Sequence, residues 1–294
     1  MAALRRRMPG EVVLGVFQLC HPVPVLLHTV AVLLFALLAV WPHIVPGTLL
    51  LVVVVHVLMQ VSIAVLNDYC DRRLDTLSKR DKPLVRGLVR PYEALVLGLL
   101  CILAMFVLLL FLPPLALLLS ILYLLLGQAY NLGLKSTPLS GIVFALAIPL
   151  IPAYAFVGVG HPSPLLFWLV PVAALLGVTL NLGNSLPDLE ADAAQHARTL
   201  AVVLGLRNIL LLCPLFITLA LLLTLLLAVT HIVSTVFFIF IPCLLITALL
   251  ILFLLLLSRP VVKGWRRKQY FYLLVLTSLF FASGWLCSVL LVLH

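Results

Sequence analysis

Four residues carry chemistry in their spacing: Asn67, Asp68, Asp71 and Asp75. On a helix turning ~100° per residue they fall within an arc of roughly 100°, so one amide and three carboxylates share a face. They follow a strongly apolar run, residues 49–66, and include three of only nine acidic residues in the chain. Ionised groups beside a bilayer are costly unless something binds them. A hard divalent cation shared with a phosphate is the natural partner. A second set comes later. Asp188 and Asp192 lie ~40° apart at helical spacing, with Asn181, Asn184 and Ser185 on their stripe and Glu190 on roughly the opposite side. Pro187 lacks an amide donor and predicts a kink or restart of the helix there.

The two sets repeat: Asp68 to Asp188 is 120 residues and Asp71 to Asp192 is 121. Facing each other across a bundle, they would form a two-sided cage for a cation. Mg²⁺ suits it, since that ion is typically held by few carboxylates together with substrate phosphates. Basic groups stand close by: Arg72, Lys79, Arg80, Lys82 and Arg86 after the first set, Lys135 between the sets, Arg198 after the second. Lys and Arg donate charge-assisted hydrogen bonds to phosphate oxygens. Acids, bases and an apolar bundle together suggest a diphosphate with a long hydrocarbon tail, and a prenyl diphosphate fits.

The elements that position these residues are membrane spans. The chain has 294 residues, 65% hydrophobic and 9% charged, which excludes a soluble domain. At about 20 residues per crossing, apolar runs predict nine spans: 22–41, 46–67, 93–112, 115–131, 139–158, 165–186, 209–229, 232–257 and 270–293. The fold class is therefore an all-α membrane protein. It forms one domain over 1–294, with two four-helix repeats (about 22–131 and 139–257) plus a ninth helix. Pro- and Gly-rich joints at 41–47 and 158–164 fit short turns between antiparallel helices. Each acidic set follows the second span of its block, so both emerge on the same face.

With nine spans, all 18 Lys/Arg and all nine Asp/Glu gather at one face. The opposite joints and the C-terminus offer only His43, His161, His231 and His294. The positive-inside rule makes the charged face, the N-terminus included, cytoplasmic. The run after Arg5, Arg6 and Arg7 has no small-residue cleavage site and reads as a retained span. A net charge of +9 then reflects orientation and anionic lipid, not nucleic acid. Six scattered cysteines without a CxxC or Cys/His cluster exclude a zinc site and a disulfide framework. Arg266, Arg267 and Lys268 read as topological anchors, and His21, His28 and His56 as isolated packing or hydrogen-bonded residues.

The residues also carry a resemblance. Asn67-Asp68-x-x-Asp71-Arg72-x-x-Asp75, with Lys79-Arg80 and Lys82-Pro83-Leu84-x-x-Gly87, resembles the first signature of the UbiA superfamily of intramembrane prenyltransferases. Asp188-Leu-Glu-Ala-Asp192 followed by Arg198-Thr199-Leu200-Ala201-Val202 resembles the second, and Tyr130 with Lys135 resembles the Tyr and Lys between them. The resemblance covers essentially the whole chain. It implies Mg²⁺ on Asn67, Asp68, Asp71, Asp188 and Asp192, holding a polyprenyl diphosphate. Arg72, Lys79, Lys135 and Arg198 would serve the diphosphate, and Asp71, Asp75, Asp192 and Tyr130 the chemistry, with Asp75 nearer the acceptor. Ionisation leaves an allylic carbocation, which an electron-rich acceptor carbon attacks in aromatic prenyltransferases.

Two departures mark the chain. Lys82-Pro83-Leu84 stands where Arg-Pro-Leu is common, and Ser185 where many members have another acid. The first motif leans towards the 4-hydroxybenzoate-type branch and the Arg198 stretch towards the menaquinone-type branch. The expected acceptor is an aromatic quinone precursor, with a glycerol lipid or a tetrapyrrole as alternatives. A bacterial-type cell membrane is the expected location. A transporter with an acidic ion site is the competing class, but transporters place ionisable groups near the midplane at broken helices. Here the span interiors lack Asp, Glu, Lys and Arg.

Overall fold

A computed structural model describes residues 7–78, 81–258 and 265–293, and no strand occurs among them. The first half comprises α1 (Pro9–Leu19), α2 (Pro22–Val40), α3 (Pro46–Ser78), α4 (Pro91–Leu109) and α5 (Pro114–Asn131). A 3-10 turn, Leu134–Ser136, leads to α6 (Ser140–Gly158), α7 (Leu165–Ser185) and the short α8 (Leu189–Ala194). The chain ends with α9 (Leu200–Val229), α10 (Phe237–Ser258) and α11 (Trp265–Leu293). Among the described residues, nine helices are long and apolar enough to cross a membrane, all except α1 and α8.

Proline sets the starts. Each of α1 to α5 begins with Pro at its first position, where the missing N–H costs nothing and the fixed φ suits the helix. Two elements differ from the sequence expectation. The second span does not stop at the apolar boundary, because α3 runs on through Asn67, Asp68, Asp71 and Asp75 as one helix of 33 residues. The run after Arg7 forms the separate α1, turned into α2 at Cys20 and at His21, whose φ is 50°. Exposed Val13, Leu14 and Phe17 on α1 suit a helix lying at a membrane interface.

Helices α2, α3, α5, α6, α7 and α11 enclose the centre, with α2 packed on α3, α6 and α11 so that the first and last spans close the ring. Small residues permit the tight approaches, as is usual where lipid removes the hydrophobic drive between helices. At Gly177 of α7 a Cβ would lie 2.4 Å from the Phe144 carbonyl oxygen of α6, a backbone atom that cannot yield. Gly177→Val should therefore separate α6 from α7, at about 1–3 kcal/mol for overpacking. A melt in detergent should show a clearly lower midpoint. Gly47→Ala, with nothing within 4 Å of its Cβ, should leave the midpoint in place.

Candidate active site

The first acidic set owes its geometry to the unbroken α3, which carries helical phase from the apolar run into the polar end. Asn67, Asp68, Asp71 and Asp75 all line a central cavity of about 1780 Å³. Asn67 is fixed by donating to Asn131 Oδ1 at 2.8 Å, while Asn131 donates to the Ile63 carbonyl at 2.9 Å. Asp68 is buried, 1% exposed. It accepts from Lys82 Nζ at 2.6 Å and lies 3.1 Å from His21 Nε2. Lys82 also pairs with Asp75 at 2.9 Å. Burial pushes the Lys82 ammonium down, but Asp68 and Asp75 outweigh it and the net shift is upward. Lys82 therefore stays charged at neutral pH, bridging two acids about two helical turns apart.

The second set sits after a real break. Helix α7 ends at Ser185, Leu186 caps it, and α8 restarts at Leu189 behind Asp188. The kink expected at Pro187 is present. Asp188, Asp192, Asn184 and Ser185 line the same cavity as the first set, whereas Asn181 is wholly buried and does not line it. Asp192 N–H donates to the Asp188 carbonyl at 2.8 Å, so backbone within α8 fixes the spacing of the two acids.

A third strand of the chain stitches the sets together. Lys135, on the 3-10 turn, forms an ion pair with Asp71. The neighbouring Ser136 carbonyl accepts from Arg198 N–H at 3.1 Å. Lys135, Arg198 and Tyr130 all line the cavity, and the Tyr130 ring meets Phe144 edge-on at 5.5 Å. Thr199 caps α9 by accepting from Val202 N–H at 3.1 Å, which holds the segment beside Arg198.

Of the residues singled out in the sequence, Asn67, Asp68, Asp71, Asp75, Tyr130, Lys135, Asp188, Asp192 and Arg198 converge on one cavity. Arg72 does not line it: its guanidinium donates to the Tyr69 carbonyl at 2.6 Å and stacks 4.3 Å above the Tyr69 ring. Lys79 lies outside the described residues. Glu190 faces away, as its helical phase predicted, and pairs with Arg267. Three contributors escaped sequence reasoning. His21 had no motif around it, Lys268 lines the cavity from α11, and Arg267 is buried at 4% exposure instead of being a surface anchor. Lys82, by contrast, carried a signal through Lys82-Pro83-Leu84.

The donors facing the cavity are carboxylate and amide oxygens, the set preferred by a hard divalent ion. Among the described residues no three His, Cys, Asp or Glu converge to enclose a metal on their own. Such a set suits Mg²⁺, which takes few protein ligands and fills its shell with water and phosphate. Below the acids the cavity wall turns apolar, through Phe35, Ile148, Ile151, Leu169, Leu176 and Leu279. The site is a charged mouth on an apolar depth.

Comparison with known proteins agrees with this geometry. The family model described as UbiA prenyltransferase family matches residues 26–283. A digeranylgeranylglyceryl phosphate synthase from Natronomonas pharaonis is 31% identical over 60% of this chain and 64% of its own length. A 4-hydroxybenzoate octaprenyltransferase from Escherichia fergusonii is 32% identical over 58% of this chain and 61% of its own. The chain thus aligns with less than two thirds of the length of these two relatives. Among solved structures, a UbiA homolog from Archaeoglobus fulgidus bound to DMAPP and Mg²⁺ superposes with a TM-score of 0.69 at 17% identity. That match covers 92% of this chain and 97% of that one.

Proposed function

The chain belongs to the UbiA prenyltransferase family, and from that membership we propose that it transfers a prenyl group from a polyprenyl diphosphate to an acceptor inside the membrane. The observation that carries the reading is the single cavity. Two acidic sets some 120 residues apart in sequence line one mouth, above an apolar depth suited to a hydrocarbon tail. The Archaeoglobus fulgidus neighbour with its DMAPP and Mg²⁺ supports both the donor and the metal.

Asn67, Asp68, Asp71, Asp188 and Asp192 would hold Mg²⁺, which supplies positive charge to the diphosphate oxygens. Lys135 and Arg198 stand at the cavity, where they stabilise the charge that develops on the departing diphosphate. Asp75, held by Lys82 at the outer end of the α3 acidic stripe, serves the chemistry at the mouth, and Tyr130 borders the reacting carbon. The apolar wall excludes water, which would otherwise capture an allylic cation.

The first reading of the acceptor is an aromatic quinone precursor, supported by the 4-hydroxybenzoate relative. A glycerol lipid is the second, favoured by the Natronomonas pharaonis relative. We further read the bundle as one domain of two four-helix repeats plus a ninth helix. The charged face, with the N-terminus and the site, is cytoplasmic in a bacterial-type cell membrane, by charge asymmetry.

Membranes containing the protein should transfer a labelled prenyl group from its diphosphate to 4-hydroxybenzoate or to a prenylated glyceryl phosphate. EDTA should abolish the transfer and Mg²⁺ restore it. Transfer that survives thorough chelation would sink the metal-dependent reading.

A further inference from the structure

Residues seven apart on a helix share a face to within ~20° and lie about 10 Å apart along its axis. On two helices of the cavity wall, a polar residue stands seven positions deeper than a polar residue of the mouth: Gln60 below Asn67 on α3 and Tyr123 below Tyr130 on α5. His28 joins them from α2, which starts just after His21 in the α1–α2 turn, and all six line the cavity. The three deeper residues form a second polar tier inside the apolar depth.

The tier is assembled, not scattered. Gln60 Nε2 donates to Tyr123 Oη at 2.7 Å and lies 3.2 Å from both His28 Nδ1 and His56 Nε2. His56 backs it, 1% exposed, stacked on Tyr154 at 5.8 Å and edge-on to Tyr123 at 5.6 Å. Tyr154 is itself pinned by donating to the Val52 carbonyl at 2.9 Å. Burying this many polar groups in a membrane bundle is costly, and the leaving-group chemistry at the mouth uses none of them.

The hydrogen-bond polarity says what would fit. The Gln60 amide nitrogen carries two hydrogens for three neighbours, Tyr123 Oη, His28 Nδ1 and His56 Nε2, so the tier is a shared network of neutral donors and acceptors. Neither His28 Nε2 nor Gln60 Oε1 takes part in the contacts that bind the tier together. Both belong to side chains that line the cavity. Tyr123, accepting from Gln60, keeps its own O–H to donate, so the tier presents donors and acceptors without a formal charge, the complement of a hydroxyl, which both donates and accepts. A hydrocarbon passing there would satisfy none of them, and a phosphate would find no cation.

We propose that His28, Gln60 and Tyr123 form the acceptor subsite of the transfer reaction, recognising a hydroxyl on the acceptor. This rests on the prenyl-transfer reading. The depth of about 10 Å between tiers leaves room for the breaking bond, the ~3–3.5 Å gap between reacting atoms and one six-membered ring.

The test is steady-state kinetics with 4-hydroxybenzoate and with a prenylated glyceryl phosphate, taking whichever is the better substrate. Gln60→Leu and His28→Leu should each raise the acceptor KM by about 10- to 100-fold, with the KM for prenyl diphosphate within about twofold. The O-methyl ether of that acceptor, used as an inhibitor, should bind wild type at least ~10-fold more weakly than the acceptor and the Gln60→Leu protein about equally. The inhibitor comparison on wild type needs no variant to fold. An unchanged acceptor KM, or a shift only in preferred prenyl chain length, overturns the subsite and leaves the enzyme reading standing. Wild-type membranes that bind no prenyl diphosphate with Mg²⁺ overturn both.

Discussion

Asp71→Asn and Asp192→Asn should each lower prenyl transfer by at least ~10³-fold in kcat, with the protein still inserted and extractable as a stable bundle. The size follows from where each charge acts. Removing one preorganised electrostatic partner of a developing charge typically costs ~10²–10³, and here the lost carboxylate also weakens the cation that the site is shaped to hold. The two residues come from separate elements, α3 and α8, and meet at one cavity, so neither replaces the other. Asp71→Asn has a second consequence, because Asp71 is the ion-pair partner of Lys135. Its loss leaves the ammonium on the 3-10 turn without that anchor. The measurement is single-turnover transfer across a Mg²⁺ titration. Either variant retaining more than a tenth of wild-type kcat would remove that residue from the metal-binding set. Lys135→Met is the informative companion: it should raise the KM for the diphosphate and leave the Mg²⁺ requirement in place.

The first acidic set was legible because α3 is continuous. Helical phase counted along residues 49–66 remains valid through Asp75, so a stripe drawn on paper is a stripe in the bundle. The second set was less so. Counting phase from Asn181 to Asp192 crosses the break at Leu186 and Pro187, and there the count fails: Asn181 ends up buried off the cavity. Phase within α8 survives, which is why Asp188 and Asp192 share the cavity and Glu190 does not. Contacts between distant segments left no local trace. His21 reaches Asp68 only because the α1–α2 turn folds back over α3, and a lone histidine in a sequence announces nothing. The three histidines taken as isolated illustrate the same point. Two of them, His28 and His56, are neighbours through Gln60, a relation that only the packing of α2 against α3 creates. Net polarity of a face can be read from sequence; which faces meet cannot.

Arg267→Leu should reduce transfer by roughly 10- to 100-fold and raise the Mg²⁺ requirement, although Arg267 does not line the cavity. Pro187 prevents α7 from simply continuing, so the carbonyls at its end lose helical partners. Arg267, reaching from α11, supplies one: its guanidinium donates to the Leu186 carbonyl at 3.1 Å. The same guanidinium forms an ion pair with Glu190 on α8. One buried side chain therefore fixes the angle between α7 and α8, and with it the positions of Asp188 and Asp192. A hydrogen bond from a charged donor to a buried carbonyl contributes about 1.5–3 kcal/mol. The Glu190 half contributes less, since that carboxylate is 69% exposed and screened by solvent. The Arg267 partner holds the Glu190 carboxyl below its usual value of 4.5. Its share of stability is thus complete above the unfolded-state value and is lost as pH falls through the lower folded value. At neutral pH the clamp is fully engaged, and Glu190→Gln should cost only a few-fold because the amide oxygen still accepts. Arg267→Lys should recover part of the activity through the Leu186 contact. The discriminating readout is the Mg²⁺ dependence of kcat beside the thermal midpoint. A positioning role moves the first more than the second, whereas a purely structural role would lower the midpoint and leave the Mg²⁺ requirement of the surviving protein as it was.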